Sequence, residues 1–140
     1  MAIKLITLGH VEHVSHDLAK KMLEWNEPIP DFSTRYPDRL ESCVAAPFQT
    51  YGRKPLYAGL VEKAAILFYL MTKNHPFQNG NKRVAVTTML VFLTLNGKWL
   101  AVDVQELYNF AIWVAESPAS VKDETVLATA KFIGKNLKDA

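Results

Sequence analysis

The feature that most constrains the fold is a pair of long apolar segments separated by a short polar turn. The first, LYAGLVEKAAILFYLMTKN, runs from Leu56 to Asn74, and the second, NKRVAVTTMLVFLTLN, begins at Asn81. Both are apolar on most faces of a helix, which is typical of helices packed by neighbours on several sides. The intervening HPFQNG contains a proline and a glycine and is expected to be a turn. The two segments therefore predict a pair of buried helices at the centre of a domain.

The residues before this pair predict two further helices and a flap. Ile3–Ile6 could form a short strand, after which apolar residues recur at helical spacing from Val11 to Met22, toward Trp25. Beyond a proline-rich loop, Asp38 can cap a second helix that ends before Pro47. The following segment, Phe48–Tyr57, has aromatics, a glycine and a proline but no helical period, which indicates a hairpin or flap.

The residues after the pair predict two more helices. Gly97 can supply the left-handed residue that commonly follows a helix. Asp103 and Glu106 form a D-x-x-E capping pattern before a helix at 107–115, and Lys122–Leu137 has the pattern of a last helix. The chain is therefore predicted to be all-α with a short β-hairpin flap, as a single domain over residues 1–140.

Composition excludes several function classes. The formal net charge of the 140 residues is +2, and no stretch concentrates Lys and Arg, so the sequence does not predict direct nucleic-acid binding. The single cysteine, Cys43, cannot form an intramolecular disulfide or a multi-Cys zinc site. No apolar run has the length of a signal sequence or a membrane span. We expect a cytoplasmic protein with no membrane contact.

The turn between the buried helices carries the candidate chemistry. A helix N-terminus offers unpaired N–H groups to a phosphate, and Gly80 lets the backbone approach closely. Lys82 and Arg83 add positive charge there, and His75 could accept a proton from an incoming hydroxyl. Taken singly, His75 could bond the last carbonyls of its helix, and the two cations could be solvated surface charges. Together, the residues favour phosphoryl or nucleotidyl transfer.

The run HPFQNGNKR resembles the signature of the Fic/Doc family, and its K-R ending is similar to the Doc (death-on-curing) branch. The similarity extends to the flap-like PFQTYGRKPLY and to LVEKAAILFYLMTKN and LVFLTLNGKWL. The resemblance implies that His75 is the general base and that Phe77 is a buried anchor of the loop. It also implies that Gly80 and Asn81 surround the nucleotide phosphates and that Arg83 binds a phosphate.

Three positions bear on which reaction the resemblance implies. Lys82 stands where AMP-transferring Fic proteins have glycine, and in the Doc branch that lysine accompanies transfer of the γ-phosphate of ATP. Val86 replaces the second arginine of the AMP-transferring pattern. Asn79 occupies the metal-binding position, where the family usually has Asp or Glu; its amide oxygen can ligate Mg²⁺ but adds no negative charge.

The resemblance therefore implies a toxin-type phosphotransferase that uses ATP and Mg²⁺. Its implied target is a Ser or Thr hydroxyl on a protein such as elongation factor Tu, which would meet the flap at Phe48–Tyr57. Control by a separate antitoxin is also implied. Two alternatives stay open: an AMP-transferring Fic enzyme, and a nucleotide-binding module with little turnover, which Asn79 motivates.

Overall fold

The computed structural model describes residues 2–22 and 25–140, and helices make up most of them. In chain order the helices are α1 (Leu8–His10), α2 (His16–Met22), α3 (Pro37–Ala45), α4 (Leu60–Lys73), α5 (Asn81–Leu95), α6 (Val104–Glu116) and α7 (Lys122–Asn136). A π-helical segment, Val11–Ser15, joins α1 to α2, and short 3-10 turns lie at Phe32–Thr34, Ala46–Phe48 and Ala119–Val121. The strands are β1 (Thr50–Tyr51), β2 (Lys54–Pro55), β3 (Lys98–Leu100) and β4 (Leu137–Asp139). The all-α prediction with a short hairpin is confirmed.

Helices α4 and α5 form the centre of the fold, as their sequences predict. Every residue from Lys63 to Tyr69 is buried, and so is every residue from Arg83 to Met89. Helix α4 packs against α5 and α7, and α5 also packs against α2. The turn that joins them is partly covered, because Pro76, Phe77 and Gly80 are buried while His75, Gln78 and Asn79 are exposed.

The flap is a β-hairpin whose strands are joined by a two-residue turn. β1 and β2 pair antiparallel, with Thr50 opposite Pro55 and Tyr51 opposite Lys54. The two turn residues, Gly52 and Arg53, both have positive φ angles, of 57° and 70°. Positive φ at both central residues is the geometry whose twist matches that of the paired strands. The predicted flap is therefore confirmed.

Several local features differ from the prediction. Ile3–Ile6 forms no strand; instead the side chain of Asn96 pairs with the backbone N–H and carbonyl of Lys4. Asp38 lies in the first turn of α3, while Tyr36 is the N-cap residue. The last helix ends at Asn136, because the chain then leaves it to pair β4 with β3. That second strand pair was not predicted, and the central helix begins at Leu60 instead of Leu56.

Other boundaries agree with the sequence. Gly97 follows α5 with a φ of 75°, and Asp103 accepts a hydrogen bond from the N–H of Gln105 as the N-cap residue of α6. Helix α6 itself begins at Val104, earlier than the predicted start at 107. The predicted continuation of the first helix toward Trp25 passes through residues 23 and 24, which lie outside the described residues. Among the helices of residues 2–22 and 25–140, none combines the length and the apolar character needed to cross a membrane.

Candidate active site

The turn between α4 and α5 has two residues in the left-handed backbone region. Gly80 has a φ of 73° and serves as the N-cap residue of α5, while His75 has a φ of 48°. Positive φ is uncommon for a residue with a Cβ and marks a position that the surrounding structure holds. Within the described residues no side chain caps the N-terminus of α5, so its first N–H groups remain available to an anion.

Asn81 holds the turn together from the first position of α5. Its Oδ1 accepts a hydrogen bond from the N–H of Phe77 at 3.0 Å, and its Nδ2 donates to the carbonyl of Phe77 at 2.9 Å. The same Nδ2 lies 3.3 Å from Nδ1 of His75. Because the two backbone contacts determine which end of the amide is nitrogen, Nδ1 of His75 must be the acceptor. A neutral His75 ring therefore carries its proton on Nε2.

Phe77 anchors the turn in the core, as predicted. Its side chain is 1% exposed and packs against His16 and Phe32, with ring centroids 5.5 and 5.9 Å away. His16 is itself buried, and its Nε2 lies 3.0 Å from the carbonyl oxygen of Pro30. Burial lowers the pKa of His16. Helix α2 and the loop before α3 thus both support the turn.

A cleft of about 270 Å³ opens above the turn. Its walls come from α4, the turn, the start of α5, the loop before α3 and the end of α6, and they comprise Glu27, Thr72, His75, Gln78, Asn79, Gly80, Asn81, Lys82 and Ala115. The structure therefore brings together five of the six predicted site residues, all except Arg83. The end of α6 is held at this cleft by Lys73, whose Nζ donates to the carbonyl of Ala115 at 3.0 Å.

Glu27 contacts both cations that the sequence analysis placed at a phosphate site, Lys82 through its carboxylate and Arg83 through its backbone carbonyl. Its carboxylate pairs with Nζ of Lys82 at 2.6 Å, in a pair that is mostly shielded from solvent. The guanidinium of Arg83 is buried and donates to the carbonyl of Glu27 and, at 2.6 Å, to the carbonyl of Ala19. Lys82 thus borders the cleft in an ion pair, whereas Arg83 joins α5 to α2 and to the loop before α3.

Asn79 lines the cleft and is exposed, and its Oδ1 accepts a hydrogen bond from the N–H of Gly80 at 2.7 Å. An amide oxygen has a second lone pair, which can still ligate a hard cation. In the part of the chain that the structure describes, no three His, Cys, Asp or Glu side chains are grouped to hold a metal ion. Mg²⁺ would therefore need most of its ligands from nucleotide phosphates and water, a common arrangement for this ion.

Two further clefts adjoin the first. One, of about 330 Å³, shares Glu27, Lys82 and Ala115 with it and adds Tyr108 and Ile112. The other is an open cleft of about 640 Å³, lined by Asp38, Arg39, Ser42, Asn74 and His75. His75 is the one lining residue that this cleft shares with the cleft above the turn, so it borders both.

Comparison with known proteins identifies the family. Residues 5–93, well over half of the chain, match the Fic/DOC family. The protein belongs to the Fic/Doc family. The chain is also 39% identical over 64 residues to a protein named Toxin Doc from Mycolicibacterium smegmatis. That similarity covers 46% of this chain and 49% of the relative, so the chain spans about half the length of the relative that it matches. No solved structure matches.

The flap of this Fic/Doc protein is held at both ends by a buried lysine that sequence reasoning missed. Lys63, on α4, is 6% exposed, and its Nζ donates to the carbonyls of Pro47 and Tyr57, on either side of the hairpin. The same Nζ lies 4.8 Å from the centre of the Phe48 ring. One signal was visible: Lys63 is a charged residue directly before the long apolar run that begins at Ala64.

Glu27 is the second functional residue that sequence reasoning missed. It lies in an irregular, proline-rich stretch more than fifty residues before Lys82, which its carboxylate contacts. Neither helical periodicity nor motif spacing connects such a residue to the site. The contact arises because the loop before α3 folds back over the N-terminus of α5.

Proposed function

We propose that this Fic/Doc protein is a Doc-like toxin that transfers the γ-phosphate of ATP to a Ser or Thr hydroxyl of a target protein. One observation carries the proposal: a single cleft contains His75, the glycine-led N-terminus of α5 and Lys82. A proton acceptor beside an anion-binding backbone suits transfer of a phosphoryl group to a hydroxyl. The partial similarity to Toxin Doc and the K-R ending of HPFQNGNKR support the Doc branch.

In the proposed step a bond forms between the acceptor oxygen and the γ-phosphorus while the bond to the β-bridging oxygen breaks. ADP leaves, and the acceptor proton passes to His75. Since Nε2 of the neutral ring carries a proton, Nδ1 is the basic nitrogen. Its single lone pair meets Asn81 in a long contact of 3.3 Å, which the acceptor hydroxyl would displace as its proton moves to Nδ1. Catalysis of this kind rests mainly on positioning and on charge neutralisation at the phosphates.

The cleft above the turn and the neighbouring cleft lined by Tyr108 and Ile112 suggest how a nucleotide would lie. The backbone of Gly80 and the first turn of α5 would face the phosphates, with Lys82 beside them. Tyr108 and Ile112, in the neighbouring cleft, offer an aromatic and aliphatic wall to the nucleoside. Mg²⁺, held by Asn79 together with phosphate oxygens, would supply charge neutralisation on the phosphates. Arg83 would keep its carbonyl partners and support the loop from behind.

The acceptor protein would meet the flap at Phe48–Tyr57. A short exposed hairpin has unpaired edge groups that can take up an extended segment by strand addition. The exposed Tyr51 adds a large apolar contact at the tip. We propose a translation factor such as elongation factor Tu as the target, a cytoplasmic site of action, and a separate antitoxin that covers the cleft.

Labelled nucleotide tests the proposal directly. The purified protein is incubated with bacterial lysate, Mg²⁺ and ATP labelled on either the α- or the γ-phosphate, beside a His75→Ala control. We expect γ-label on a protein band, lost in the control, and the mass of the band identifies the target. Purified elongation factor Tu is then tested as the substrate. Absence of label from both nucleotides with lysate and with the purified factor would refute the transferase proposal.

Two alternatives correspond to other outcomes. Label from the α-phosphate would indicate AMP transfer, against which Lys82 and Val86 stand in the sequence. A nucleotide-binding module with little turnover is favoured by Asn79 and by the ion pair that already occupies Lys82. Calorimetry showing ATP binding without product would support that module, and restoration of turnover by Asn79→Asp would locate the cause at the metal position.

A further inference from the structure

The backbone of His75 is held from outside its own turn by the beginning of α3. Nη1 of Arg39 donates to the carbonyl of His75 at 3.2 Å, and the N–H of Tyr36 donates to the carbonyl of Pro76 at 2.8 Å. The guanidinium of Arg39 also lies 4.3 Å from the centre of the Tyr36 ring. Two consecutive carbonyls of the turn are therefore bonded to one end of one helix.

His75 has two reasons to need this support. Its φ of 48° is unfavourable for a residue with a Cβ, and such conformations persist where the surroundings hold them. It also precedes Pro76, and a residue before proline is pushed toward an extended conformation. Without external contacts, the chain at this position would be expected to relax to extended backbone and to turn the imidazole out of the cleft.

We propose that Arg39 is a positioning residue for His75. Helix α4 places the backbone before His75, and Arg39 places its carbonyl, so the direction of the Cβ and of the imidazole follows. Asn81 then meets Nδ1 from the other side. Arg39 lies in the open cleft and not among the residues that line the cleft above the turn, so it acts on the histidine without touching the nucleotide.

The chain offers a matched control four residues earlier. Arg35 has the same two contacts as Arg39: its guanidinium lies 4.4 Å from the centre of the Phe32 ring, and its Nη1 donates to the carbonyl of Phe32 at 3.3 Å. These contacts stay within the loop before α3. Arg35→Met therefore removes the same kinds of contact as Arg39→Met but no contact with His75.

The first experiment measures the ¹⁵N and ¹H signals of the His75 ring in the protein without nucleotide. We expect Arg39→Met to shift these signals and to change the balance between the Nδ1–H and Nε2–H tautomers, whereas Arg35→Met leaves both as in the wild type. Arg39→Lys, which keeps a donor, should restore part of the wild-type pattern. Identical His75 signals in Arg39→Met and the wild type would overturn the proposal.

The second experiment is kinetic and rests on the proposed transferase function. Arg39→Met should lower kcat by about tenfold or more without raising the KM for ATP, because small misplacements of a reacting group are costly. A raised KM for the acceptor with unchanged kcat would show direct substrate contact and overturn the positioning role. Absence of transfer by the wild type would refute the transferase function, while the ring signals would still decide the role of Arg39.

Discussion

Replacing Gly80 with alanine tests how tightly the loop before α3 covers the site. A Cβ at Gly80 would lie 2.9 Å from the carbonyl oxygen of Pro28 and 2.8 Å from Cδ1 of Ile29. The Ile29 side chain can rotate away, but the Pro28 oxygen belongs to the backbone. Relief therefore requires the loop to move off the turn, and that loop also carries Glu27.

The expected loss of unfolding free energy in Gly80→Ala has two parts. The φ of 73° places an alanine in the left-handed region, which costs roughly 1–2 kcal/mol. Forcing a methyl group into an occupied space costs roughly a further 1–3 kcal/mol. We expect Gly80→Ala to lower the free energy of unfolding by about 2–5 kcal/mol in total.

Gly97 separates these two parts. Its φ of 75° is nearly the same, yet a Cβ there would meet nothing within 4 Å. Gly97→Ala therefore carries the backbone cost without the steric cost. Its effect on the unfolded chain is the same as that of Gly80→Ala. Urea unfolding followed by circular dichroism should give a difference between the two variants of roughly 1–3 kcal/mol, with unchanged m-values.

An equal loss of unfolding free energy in the two variants would refute the reasoning, because it would show that the loop does not press on Gly80. A larger loss in Gly97→Ala would refute it more strongly. The comparison needs no nucleotide and no target protein. It therefore tests the architecture of the site independently of the proposed reaction.

Three further predictions concern the groups around the site. Burial holds the pKa of His16 below its ordinary value of 6.5, so the unfolded chain binds a proton more readily than the folded protein. The free energy of unfolding should therefore keep its full value above pH 6.5 and fall as the pH drops below it. Urea unfolding of His16→Gln should show a weaker pH dependence. Glu27→Gln should bind ATP about fivefold more tightly by calorimetry, because the phosphates no longer displace an ion pair of about 1 kcal/mol; weaker binding would mean that Glu27 orients Lys82 for the nucleotide. Lys63→Met should raise the rate of limited tryptic cleavage after Arg53 by roughly tenfold or more, since hydrogen bonds to a charged group contribute about 1.5–3 kcal/mol; a wild-type rate would show that the flap holds without this lysine.

The helical architecture could be predicted because burial leaves a direct mark on composition. Segments that are apolar on most faces have no stable place except the centre of the fold, and α4 and α5 lie there. The turn between them was predictable because Pro76 and Gly80 interrupt helices for local reasons. Strands β3 and β4 left no such mark, because segments of three residues depend on a partner far along the chain.

Five residues of the candidate site were predictable, but the contacts that hold them were not. His75, Asn79, Gly80, Asn81 and Lys82 follow one another closely, so a single turn and the start of one helix bring them together. The bonds that hold them come from elsewhere: Arg39 and Glu27 reach the turn from segments at least 36 residues away. Long-range contacts of this kind depend on how the helices pack, which no local pattern records.

Lys82 and Arg83 show what the sequence determines and what only the tertiary structure decides. The sequence by itself determined that two adjacent cations open a helix after a glycine, and hence that an anion site is chemically suited to this place. Successive residues of an α-helix point about 100° apart, so two neighbours need not face the same surface. Packing of α5 against α2 decided that Arg83 faces inward to the carbonyls of Ala19 and Glu27, while Lys82 faces the cleft.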